Sequence, residues 1–120
     1  MLNQTVLVGR LVKTPEVKET ENGQKVSNIT LAVPRSYKNV NGEYETDFVN
    51  CTLWGPIATN TAEYCQKGDM VGVKGRIETS SYEKEGEMKY QTNVIAEKLT
   101  FLSSNKEKTE EKSEDQEMNM

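Results

Sequence analysis

The amino-acid sequence predicts an all-β domain: five strands closing into a small Greek-key barrel, with one short helix between the third and fourth strands. Three observations predict it. Turn dipeptides punctuate the first hundred residues, the segments between them alternate apolar and polar side chains, and one stretch has helical spacing instead. At 120 residues the chain is long enough for one globular domain and too short for two ordinary ones.

Taken in order, the strands fall at residues 4–12, 26–34, 48–54, 70–79 and 90–101. The first holds the apolar run Val6-Leu7-Val8. Asn22-Gly23, Asn41-Gly42 and Glu85-Gly86 lie between segments of strand character, and Asn-Gly is the strongest short hairpin signal. Between the third and fourth strands, Pro56 suits a first helical position, and Ile57, Thr61 and Cys65 recur on one face. Lys67-Gly68-Asp69 stops that helix, with Lys in its last turn and Gly just past it. The order β-β-β-α-β-β is that of the OB-fold, a five-stranded, partly open Greek-key barrel.

Side-chain parity assigns the faces, because successive side chains of a strand point to opposite sides. Ile29, Leu31 and Val33, then Val49, Cys51 and Leu53, then Val71, Val73, Gly75 and Ile77 form the inward sets. Phe48, Asn50, Thr52 and Trp54 face outward from the third strand, as Gly72, Lys74 and Arg76 do from the fourth. Parity does not reach Tyr37, since Pro34 interrupts its strand.

The hydrophobic fraction of 34% is low because the end of the chain is polar. The domain is therefore placed at 1–102 and a disordered acidic tail at 103–120, where Met118 and Met120 are the only apolar residues. Residues 1–102 carry 12 Lys and Arg against 13 Asp and Glu, and the tail 3 against 6. A domain so nearly neutral would have to hold a polyanion by local basic clusters and stacking.

The absence of histidine removes the commonest general base and most mixed metal sites. Asp47, Asp69 and Asp115 are the only aspartates, no acids sit at catalytic spacing, and no phosphate-binding Gly loop is present. No enzyme activity, metal or cofactor is expected. Cys51 and Cys65 lie 14 apart with no CxxC and read as reduced core thiols. Without a signal segment or an 18-residue apolar run, the protein is read as cytoplasmic, and no membrane is expected among its partners.

What chemistry remains is that of flat surfaces and cations. Phe48 and Trp54 outside a barrel, with Lys74 and Arg76 on an outer strand face, suit unpaired nucleic acid: bases stack on rings while cations follow the phosphates. The competing reading seals the same rings under a loop or at a subunit contact.

Several segments resemble bacterial single-stranded DNA-binding proteins. They are Val6-Leu7-Val8-Gly9-Arg10-Leu11, Pro15-Glu16-Val17, Asn22-Gly23, Asn28-Ile29-Thr30-Leu31-Ala32-Val33, Leu53-Trp54-Gly55, Ala62-Glu63-Tyr64, Lys67-Gly68-Asp69 and Val73-Lys74-Gly75-Arg76-Ile77. The likeness runs through essentially all of 1–102 with the spacing intact. It implies binding and protection of single-stranded DNA in replication, recombination and repair, without strong sequence preference. The family's stacking rings fall on Tyr37, Phe48, Trp54 and Tyr82.

Phosphate contacts are assigned first to Arg10, Arg35, Lys74 and Arg76, and secondarily to Lys13, Lys38, Lys67, Lys84 and Lys89. Glu78-Thr79-Ser80-Ser81 precedes Tyr82 where relatives commonly carry Arg or Lys, so a shallow salt dependence is expected. The resemblance also implies a homotetramer. The run Val6-Leu7-Val8 is either a strand that pairs across a subunit boundary or an ordinary buried one.

In the family an acidic tail closing in Pro-Phe docks replication and repair proteins; this one is acidic but ends Met118-Asn119-Met120. Two alternatives stand beside the main reading. One is a primosome-type OB-fold homodimer, the other an OB-fold module for sugars or protein partners.

Overall fold

The computed structural model describes residues 1–104. Six strands and one helix follow in order: β1 Thr5–Leu11, β2 Lys18–Glu19, β3 Lys25–Lys38, β4 Tyr44–Trp54, α1 Pro56–Tyr64, β5 Met70–Lys84 and β6 Glu87–Ser103. The sheet order is β1-β5-β6-β4-β3-β2, and a further β1–β3 pairing closes five of the strands into a barrel. All ladders are antiparallel except β4–β6, where Cys51 pairs with Val94 and Thr52 with Ile95. This is the OB-fold predicted from the element order.

The interior is aliphatic and drawn from every barrel strand: Leu11, Ile29, Leu31, Cys51, Leu53, Val71, Val73, Val94 and Ala96. Helix α1 adds Ala58, and Cys65 follows at its C-cap. The turn beyond it is tied to the end of β1, since Gly68 N donates to Leu11 O and Leu11 N to Asp69 O, both at 2.9 Å. Buried Asp69 completes the turn by accepting from Gln66 N through Oδ2 at 2.9 Å.

Two hairpins run on beyond the barrel. The β5–β6 pairing continues to Lys84 opposite Glu87, closed by Glu85 and Gly86 with φ of 54° and 82°. Two consecutive positive φ values are those of a type I′ turn, whose twist matches its strands. Where this arm leaves the barrel, Asn3 stands in for a strand partner: its Nδ2 donates to Ile77 O and its Oδ1 accepts from Ile77 N, each at 2.9 Å. The β3–β4 arm ends at Asn39–Glu43, where Asn39 Oδ1 accepts from the backbone N–H of Asn41 and of Glu43.

Several expectations are corrected. Pro34 does not end its strand; it pairs with Thr46, and β3 continues to Lys38 after a register shift. The β1–β3 pairing stops at Ala32, so Pro34 sits where its missing N–H costs no ladder bond. Ile77 is 45% exposed rather than inward, because β5 has by then left the barrel. Thr52 faces outward as predicted but is buried under Asn28 and Asn93, both hydrogen-bonded to it. The helix stops at Tyr64, so Lys67 lies in the following turn rather than in the last helical turn. The short β2 was not predicted, and β6 runs on to Ser103. The expected tail lies, from residue 105 on, outside the described residues.

Candidate nucleic-acid interface

Strand β4 sets the geometry of the candidate surface. Phe48, Asn50, Thr52 and Trp54 alternate along its outer side, opposite Ala32, Thr30, Asn28 and Val26 of β3. The two rings stand 65% and 42% exposed, which rules out sealing within this chain. At about 3.3 Å per residue they are separated by about 20 Å of strand. Tyr37 and Tyr82, also exposed, lie on the β3–β4 and β5–β6 arms, so the four predicted rings are spread over one face and two projections.

On the two arms, sequence reasoning passed over two further rings, Tyr44 and Tyr90, both exposed. Tyr44 faces Lys38, whose Nζ lies 5.7 Å from the ring centroid, within cation–π range. Even spacing from Phe48 down to residue 44 was a usable signal for it. Tyr90 opposes Ser81, one step from the Tyr82–Lys89 pair, and so projects from the other side of the arm.

Register also places the cations. Arg10 pairs with Ala32, which pairs with Phe48, so guanidinium and ring share one row across three strands. Arg10 Nη1 donates to Gly68 O at 3.0 Å. Arg76 lies in the row of Ile95, Thr52 and Asn28. It meets Glu78 at 3.1 Å and Glu97 at 3.9 Å. Arg35 is held by Asp47 at 2.9 Å and Glu45 at 3.0 Å, and Lys89 by Glu87 at 3.1 Å. Lys74 faces Val6 and Lys98 on the β1 and β6 sides, so it is not beside the exposed rings. Lys84 sits at the tip of the β5–β6 arm opposite Glu87. Lys67 N donates to Thr14 Oγ1 at 3.0 Å, in the turn beyond α1.

Lys13 joins a cleft of about 450 Å³ between the 13–18 loop and the outer faces of β3, β4 and β6. Lys18, not singled out in the sequence, also lines it, with Asn28, Thr30, Asn50 and Asn93 beneath. Among the described residues no group of three or more His, Cys, Asp or Glu is placed to hold a metal, and no helix is long and apolar enough to cross a membrane. Both cysteines are buried free thiols.

A closed OB barrel with bare rings and amides on one outer face is a binding module. The model of the single-strand binding protein family matches residues 2–102, and the chain belongs to that family. It is 55% identical over 103 residues to the single-stranded DNA-binding protein B of Bacillus subtilis (strain 168), covering 85% of this chain and 91% of that protein. It is 43% identical over 120 residues to the single-stranded DNA-binding protein 1 of Lactococcus lactis subsp. lactis (strain IL1403), covering 99% of this chain and 80% of that one.

Proposed function

We propose that this protein binds and protects single-stranded DNA without strong sequence preference, in replication, recombination and repair, and that it catalyses nothing. The observation that carries the reading is the pair Phe48 and Trp54, exposed on one barrel face with Arg10 in the row of Phe48. Family membership and the names of the relatives support the same partner. Bases stack on Tyr37, Phe48, Trp54 and Tyr82, each contributing about 1–3 kcal/mol. Cations led by Arg10 and Lys13 follow the backbone.

The proposal includes a shallow salt dependence, since Arg35, Arg76 and Lys89 are already engaged by carboxylates. It also includes a homotetramer in the cytoplasm. Val6 and Val8 stand 68% and 47% exposed on the outer side of β1, an apolar strip suited to a second copy. Solution mass separates this from a homodimer. Docking of replication or repair proteins through the acidic tail belongs to the same reading.

Trp54 is the only tryptophan, so titration with oligo-dT reports directly on the surface. Strong fluorescence quenching is expected; no quenching together with no retained oligonucleotide would end the single-strand reading.

A further inference from the structure

The β5–β6 arm carries Tyr82 and Tyr90 out beyond the barrel, so whatever fixes its base fixes where those rings lie. Along the barrel, β5 has a neighbour on each side, β1 and β6. The β1 ladder ends where Thr5 pairs with Gly75, whereas the β6 ladder runs on to Lys84. Past Gly75 the β1 side of β5 is therefore an open edge. In an antiparallel strand the N–H and C=O of every second residue point to the same edge. Ile77 is the first residue past the ladder to face the open one, and Thr79, Ser81 and Glu83 follow it.

Asn3 fills that first position with a side chain. Its Oδ1 accepts from Ile77 N and its Nδ2 donates to Ile77 O, each at 2.9 Å. A carboxamide carries the same C=O and N–H pair as a peptide group, so it extends the ladder as a backbone would. Register agrees, since Asn3 stands two residues before Thr5 as Ile77 stands two after Gly75. The backbone meanwhile has left the sheet, because β1 begins only at Thr5. Tyr82 lies five residues further out. At about 3.4 Å per residue that is about 17 Å, so a swing of about 10° at the base moves the ring by about 3 Å.

We infer that Asn3 is a positioning residue for DNA binding: by pinning Ile77 it sets the angle of the β5–β6 arm on the barrel, and with it the place of Tyr82 against the bound strand. Asn3 touches no base or phosphate; it acts through the arm. The inference rests on the chain binding single-stranded DNA and on Tyr82 stacking a base. It gives a role in binding to a residue 74 positions away in sequence from the one it holds.

The test measures oligo-dT affinity for the full chain and for Asn3→Ala, each with and without Tyr82→Ala. Asn3 is exposed and precedes β1, so its truncation leaves the barrel core in place. Asn3→Ala should weaken binding roughly two- to tenfold, part of what one stacked base supplies, while Trp54 quenching at saturation stays the same. In the Tyr82→Ala background the same change should have no effect, because the ring it places is gone. Asn3→Asp keeps an acceptor for Ile77 N but has no donor for Ile77 O, and should weaken binding likewise. Asn3→Gln keeps both groups and should restore most of the affinity. Hydrogen exchange at the Ile77 amide reports the lost bond in Asn3→Ala. Unchanged affinity despite that loss, or an equal fall with and without Tyr82, overturns the inference and leaves single-strand binding standing. If the unaltered chain does not bind oligo-dT, the single-strand reading itself fails, and this one with it.

Discussion

Arg35 and Asp47 lock together across the β3–β4 arm: Nη2 and Nε of the guanidinium donate to the carboxylate at 2.9 and 3.1 Å. Nη1 reaches Glu45 Oε1 at 3.0 Å. The hydrogen bonds and charge of Asp47 push Arg35 further up, while Arg35 holds the Asp47 carboxyl below its ordinary range. By sign, that pairing favours the fold above the ordinary carboxyl value of 3.8 and is lost as pH falls through the lowered one. Both side chains are solvent-exposed enough that the stabilisation is small. The larger consequence is for ligands, because a phosphate must compete with two carboxylates for this cation.

Asp47→Asn combined with Glu45→Gln should therefore strengthen oligonucleotide binding and steepen its salt dependence. One additional phosphate contact on a single strand changes the slope of log K against log salt by about 0.7. Titrations at several salt concentrations read this directly. An unchanged slope would mean that Arg35 lies off the path of the DNA.

Phe48→Ala should weaken oligo-dT binding by about 1–3 kcal/mol, the usual value of one stacked base. Tyr64 is more exposed, at 74%, but sits on α1 rather than on the β3–β4 face. Tyr64→Ala should leave affinity unchanged. Equal losses from the two substitutions would show that exposure alone, and not placement on β4, governs binding.

The barrel was legible because parity works wherever one face of a strand is buried. Cys51 and Leu53, Val71 and Val73 all fell inward as their alternation required. Parity failed at Ile77, since a strand that outruns its barrel has no buried face to select a side. The two residues of β2 are too few to carry any period. Arg35 looked like a free cation because its partners, 10 and 12 residues away, are set by the register of the arm and not by any local pattern. The amide-floored cleft was invisible for a similar reason: Asn28, Asn50 and Asn93 come from three strands and meet only through pairing.

Gly75 offers a stability test of the barrel. It lies where the β5–β6 register shifts, and a Cβ there would run into the Ile95 carbonyl and the Ala96 backbone. Backbone of β6 cannot rotate away, as a flexible side chain could. Gly75→Ala should cost about 1–3 kcal/mol, in the range of overpacking. Thermal unfolding measures it, and an unchanged midpoint would show that the shift can be absorbed elsewhere.

The thiols supply a chemical probe of the same core. Burial pushes the Cys51 thiol up to about 11 and raises Cys65 as well, with the Asp69 charge adding to the latter. Only the thiolate reacts, so iodoacetamide at about pH 8 should leave the native protein unlabelled and modify both cysteines once it unfolds. A raised thiol value also fixes a sign: its contribution to the fold is complete below the ordinary value of 9.0 and is lost as pH rises toward about 11. Cys51→Ala should accordingly lose less stability than the unaltered protein over that alkaline interval, measured by denaturant unfolding at each pH. Rapid labelling of Cys51 in the native state would show instead that the barrel opens readily enough to expose its wall.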